Sequence, residues 1–152
     1  MRCLEDVSGE DALRCTKPKN SLGWIVGHLA SHEHFLWVQL AQGQNIAPDL
    51  NQLVGFGQPV SRPPWDEMWN LWNYITSAAE RYLDTVKKEM LSSYLVWQDQ
   101  QRDEDVGTSL LRNIYHYWFH LFEAHAIRQL LGHRDLPQFV GDMSGVKVCS
   151  EE

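Results

Sequence analysis

The chain has 152 residues, with 20 acidic and 13 basic side chains and a formal charge of −7. That length fits one domain able to bury a core, and 43% hydrophobic content with 11% aromatics excludes a disordered acidic tail. The acidic balance argues against nucleic acid and against an anionic membrane surface, and no apolar run approaches the ~20 residues that span a bilayer.

Residues 1–14 carry a fragment of amphipathic character (Leu4, Val7, Leu13) broken at Ser8-Gly9, with no apolar stretch of a secretory signal. Cys3, Cys15 and Cys149 are odd in number and scattered, which is neither a disulfide framework nor a zinc ribbon. A reducing cytoplasm is the expected compartment. Lys17-Pro18-Lys19-Asn20 reads as a turn. Asn20 or Ser21 then caps a helix predicted over residues 21–42, from Leu22, Ile25, Val26, Leu29, Phe35, Leu36 and Leu40.

Residues 43–62 hold Gly43, Pro48, Gly55, Gly57 and Pro59 without strong periodicity. So long a connection suits a helix bundle with a crossover between parallel neighbours. Ser61 as cap, Pro63-Pro64 in the first turn and Asp66-Glu67 at the positive dipole end start a helix predicted over residues 63–90. Trp65, Trp69 and Trp72 sit at helical spacing and read as core. Residues 91–107 are mixed, coil being expected over a short strand at Tyr94 to Trp97, with a charged turn at Arg102-Asp103-Glu104-Asp105.

Thr108 or Ser109 caps the last predicted helix, residues 109–132, closed by Gly132. Its middle, from Ile114 to Phe122, is apolar or aromatic on nearly every side, which predicts the central helix of the bundle. Residues 136–152 are expected to run extended over it. The sum is a single all-α domain over residues 1–152.

Seven histidines are the unusual feature. His116 and His120 are four apart, so both imidazoles share one helix face. Such a pair binds a metal or is a pair of hydrogen-bonded core residues; the spacing alone leaves both open. Adjacent buried imidazoles need partners, and one metal satisfies both. Glu123 shares that face as a fourth ligand, a hydrogen-bond acceptor for an imidazole, a general base or an ordinary carboxylate. His28, beside Gly27, is the natural third ligand from a facing helix, with His32 one turn on as its competitor. Three histidines and an open position make a catalytic metal pattern. Glu33 is placed to orient a ligand. His34 reads as solvated, His125 as structural, and His133 as a cap at the helix C-terminus. Neither Cys3 nor Cys15 shows the surroundings of an activated nucleophile.

Ser21-Leu22-Gly23-Trp24-Ile25-Val26-Gly27-His28-Leu29-Ala30, the Pro-Pro-Trp-Asp-Glu helix start, Gly107-Thr108 and His116-Tyr-Trp-Phe-His120-Leu-Phe-Glu123 resemble the DinB/YfiT-like superfamily, from about residue 4 to 143. The resemblance implies a four-helix bundle in up-down-down-up order with the long crossover between helices two and three. It implies a metal site on His28, His116 and His120, with zinc or nickel as the ion. It further implies a thiol S-transferase using mycothiol, bacillithiol or glutathione, or a related hydrolase. The alternative is a non-catalytic, stress-related metal- or ligand-binding protein. In that family the first helix has roughly twenty residues; here only Arg2 to Val7 match its end. The open groove that results is expected to be covered in a homodimer.

Overall fold

The computed structural model describes residues 2–15, 20–137 and 144–145. The turn expected at Lys17, Pro18 and Lys19, and nearly all of the expected C-terminal tail, lie outside them. The described residues form a mostly helical fold: α1 (Gly9–Leu13), α2 (Leu22–Glu33), α3 (Leu50–Val54), α4 (Trp65–Leu83) and α5 (Val106–Leu130). A two-stranded antiparallel hairpin, β1 (Tyr94–Trp97) and β2 (Gln100–Asp105), joins α4 to α5. None of the helices is long and apolar enough to cross a membrane.

The helix predicted over residues 21–42 exists, but it changes pitch. Ser21 caps it, its hydroxyl accepting from the Trp24 amide at 3.1 Å. After Glu33 the chain continues as a π-helical segment, His34–Leu40. A π turn shifts every later side chain around the axis. It puts Phe35 against Trp97 of the hairpin, ring centroids 5.7 Å apart.

Helix α2, not the last helix, is the centre of the fold. Leu22, Ile25, Val26, Leu29 and Ala30 are fully buried, and α1, α3, α4 and α5 all contact α2. A helix apolar all round belongs at the centre. In α5 the same composition has a different outcome. His120, Ala124 and Ile127 face inward, while Ile114, Tyr115, Phe119 and Phe122 are 52, 63, 67 and 74% exposed. The expectation that α5 is central is therefore corrected; its surplus of apolar residues forms an outer stripe.

Other boundaries shift for local reasons. Helix α4 starts at Trp65, because Pro63-Pro64 holds the preceding backbone extended. Ser61 is not its cap; the Ser61 hydroxyl donates to the Leu53 carbonyl at 2.6 Å. Helix α4 also ends at Leu83 instead of residue 90, where the Thr85 amide and hydroxyl both turn back onto the Tyr82 carbonyl. Helix α5 starts at Val106, earlier than expected, because the Asp105 carboxylate accepts from the Thr108 amide at 2.7 Å. Gly132 follows α5 with φ +86°, as a helix-ending glycine should.

The hairpin corrects the expectation of coil and of a charged turn. Trp97 pairs with Gln100, so the loop is Gln98-Asp99, both at positive φ. That is the backbone of a tight two-residue hairpin turn. The charged run Arg102 to Asp105 is strand β2, held to α5 by an ion pair between Glu104 and Arg112.

Close approach of α2 to its neighbours depends on two glycines. At Gly27 a Cβ would lie 2.5 Å from Met68 Sδ, a flexible tip. At Gly23 it would lie 2.7 Å from the Pro63 carbonyl oxygen, which belongs to the rigid Pro-Pro entry of α4. Gly23→Ala should therefore cost about 1–3 kcal/mol by overpacking, read as a lower urea midpoint at unchanged slope.

Candidate metal centre

Helix α2 supplies His28, and α5 supplies His116 and His120 one turn apart. One ring nitrogen of each lies within 4.8 Å of the others. His28 Nε2 and His116 Nε2 are 3.1 Å apart. Trp24, one turn before His28 on α2, stacks on its ring at 4.5 Å and 10°. The Trp24 ring also meets the His120 ring edgewise at 6.1 Å.

Hydrogen bonds behind the rings fix which nitrogens face the centre. His28 Nδ1 is 2.8 Å from the Val54 carbonyl, which can only accept, so Nδ1 carries the proton. His120 Nδ1 is 2.9 Å from Glu123 Oε2 and donates to that carboxylate. Asn20 Nδ2 donates to the other Glu123 oxygen at 2.8 Å and holds the carboxylate in place. His28 thus turns a bare Nε2 lone pair toward His116, and with its Nδ1 given to Glu123 the nitrogen His120 has left to offer a ligand is Nε2. His116 can offer a proton to one of them, and its own Nδ1 is buried without a partner. A cation satisfies all three inward nitrogens at once. Tetrahedral zinc with ~2.0–2.1 Å bonds sets its ligands roughly 3.3 Å apart, close to the 3.1 Å between His28 and His116 and within reach of the 4.8 Å that encloses all three. The residues present fit such an ion.

Burial disfavours the charged form of His28, His32 and His116. Desolvation first, then the neighbouring histidines, push His116 down to about 3. Desolvation lowers His28 and His32 as well, ahead of their hydrogen bonds and charged neighbours. The unfolded chain takes up these protons near pH 6.5, and the folded chain resists until lower pH. Metal-free protein should therefore keep its full stability above pH 6.5 and lose it as pH falls. His116, whose pKa falls furthest, should carry the largest part of that loss, lessened by solvent screening of its part-exposed ring. Urea melts of chelated protein at pH 7 and pH 4 check this, and equal midpoints would contradict it.

The remaining candidates fall into place around the triad. His32 does not replace His28; its Nδ1 sits 2.9 Å from Asn113 Oδ1, and its ring lies 4.3 Å from the His116 ring. Glu33 is buried and accepts from Asn113 Nδ2 at 2.9 Å instead of touching a triad histidine. Burial raises its carboxyl pKa, against hydrogen bonds from Asn113 and Tyr117 that lower it. His34, expected in solvent, is buried. The Ile46 and Ala47 amides point at its Nε2 from 3.1 and 3.3 Å, so it pins the start of the long connection. His133 receives the Arg128 Nε hydrogen at 3.1 Å and faces Asp11 at 3.3 Å, a side-chain network in place of the expected helix cap. The Cys3 thiol is buried, and desolvation raises its pKa, the opposite of activation.

Two clefts that share His32 reach triad histidines. A cleft of about 460 Å³ is lined by His32, Thr108, Leu111, Arg112, Tyr115 and His116. A smaller one of about 140 Å³ reaches His28, also past His32. Sequence reasoning missed Val54, Asn20, Asn113 and Tyr117. The first acts through a backbone carbonyl, and the others come together only when the helices pack.

The family model of the DinB superfamily matches residues 2–124, which include the three histidines and Glu123. No curated protein matches the chain.

Proposed function

The chain belongs to the DinB superfamily, and from that premise we propose that it is a metal-dependent thiol S-transferase or related hydrolase. The ion, zinc or nickel, is held by His28, His116 and His120. The observation that carries this reading is the convergence of three imidazoles beside an open cleft, with His116 in its wall. Structural zinc sites close with a fourth protein ligand; catalytic ones keep a position open. Glu123 is not among the converging groups. Its hydrogen bond to His120 makes it the outer partner that orients a ligand, which supports that role over general base or fourth ligand.

The chemistry such an ion supplies when bound is Lewis-acid activation, lowering the pKa of a thiol or water toward neutrality. The protein's share is orientation and water exclusion. Trp24 covers one face of the His28 ring, and Leu111 and Tyr115 give the cleft an apolar wall. A small thiol with an apolar acceptor substrate fits that lining. The cytoplasm, where low-molecular-weight thiols stay reduced, is the proposed compartment. Neither nucleic acid nor membrane enters this reading.

Titrating cobalt-loaded protein with glutathione or 2-mercaptoethanol tests it. The transferase reading expects a saturable change in the visible spectrum. An unchanged spectrum would leave a metal-binding protein without thiol chemistry, which is the stress-related alternative.

A further inference from the structure

A one-way chain of hydrogen bonds ends on His32. Trp72 Nε1, which can only donate, gives its hydrogen to Tyr117 Oη at 2.8 Å. Tyr117 must then send its own hydrogen elsewhere, and it hydrogen-bonds Glu33. Asn113 Nδ2 donates to Glu33 Oε1 at 2.9 Å, which turns Asn113 Oδ1 the other way, toward His32. A side-chain oxygen only accepts, so His32 Nδ1, 2.9 Å away, carries the proton. His32 Nε2 is left as a lone pair. It has no hydrogen-bond partner among the described residues and is not among the buried unpartnered atoms. His32 lines both clefts that reach the triad, between His116 on one side and His28 on the other.

Nothing in the triad needs this relay, since His28 and His120 are fixed by Val54 and Glu123. A part-buried polar chain through four side chains, with Glu33 fully inside, is costly to assemble unless every member is satisfied, and here every direction agrees. Building it to set one tautomer at a cleft wall is the act of a binding site.

We propose that His32 is the positioning residue of the metal cleft, its Nε2 accepting a hydrogen bond from the substrate. This rests on the metal-cleft reading above and extends it to a substrate class. The ligand has an apolar body, to lie on Leu111 and Tyr115, and a hydroxyl or N–H donor at the end that approaches the triad. A ligand ending only in acceptors would face a lone pair and be rejected.

Two measurements test the assignment. Long-range proton–nitrogen NMR of histidine-labelled wild-type protein reads the tautomer directly. Nδ1–H is expected for His32, and Nε2–H would overturn the relay. Calorimetry of zinc-loaded protein then compares benzyl alcohol, which keeps its O–H donor beside the ion, with benzyl methyl ether, which has none. Wild type should prefer the alcohol, and His32→Phe should lose up to about tenfold of that affinity while keeping its zinc. Equal alcohol affinity in His32→Phe would overturn the role. So would zinc loss in that variant, which would make His32 a ligand. Failure of the metal reading itself looks different, since His28→Ala and His120→Ala would then keep their zinc.

Discussion

His28→Ala and His120→Ala should each purify with little zinc or nickel, while Glu123→Gln should retain metal with about ten- to a hundredfold weaker affinity. The difference follows from where each group stands. His28 and His120 each supply one of the three converging nitrogens, and removing either leaves two that cannot hold an ion against water. Glu123 stands behind His120, 2.9 Å from Nδ1. Gln keeps an acceptor oxygen but removes the charge that makes the imidazole more basic. It also competes with Asn20 for the same hydrogen bonds, since both amides then have hydrogens to give. Elemental analysis of the purified variants, followed by chelator competition for Glu123→Gln, separates the roles. Full metal retention by both histidine variants would remove the site. Metal loss in Glu123→Gln as complete as in His120→Ala would promote Glu123 to a ligand.

How much of this was legible in the sequence depends on the range of the interaction. The His116–His120 pair is a local fact of helix geometry, and the motif around His28 carried the third member. Ser21 and Gly132 were readable because caps are local chemistry. The hairpin was hidden because Gln98-Asp99 lacks the glycine that announces such turns, and Gln100 to Asp105 shows no apolar alternation. The π segment left no trace, since it keeps the apolar residues of a helix and alters only their rotation. His34 was misplaced for that reason: spacing put it outside, and packing of the connection put two amides on its ring. The central position of α2 over α5 was also out of reach. Both helices are richly apolar, and periodicity does not say which of two such helices has neighbours on every side.

Wild-type protein should run in light scattering at twice the 17.7 kDa of one chain, and Phe122→Glu combined with Ile114→Glu should return it to that mass. The outer stripe of α5 is the reason. Ile114, Trp118, Phe119, Phe122 and Leu130 are 41–74% exposed and lie within one side of the helix, beside the Leu111 and Tyr115 that wall the cleft. With ~150–250 Å² on each aromatic, the stripe offers roughly 600 Å² per copy, the low end of what a specific interface buries on each partner. Its order suits a second copy of the same chain. If two α5 helices cross antiparallel about a two-fold axis, Phe119 of one meets Phe122 of the other, as an isologous contact requires. The stripe itself holds no carboxylate although the chain carries 20 acidic residues, so no like charges meet inside the contact. Glu at 122 and 114 inserts like charges on both sides of the axis. Neither Phe122 nor Ile114 lines the cleft or joins the triad, so the monomeric variant should keep its metal. A wild-type mass that stays at one chain at every concentration would sink the dimer, as would a double variant that remains paired.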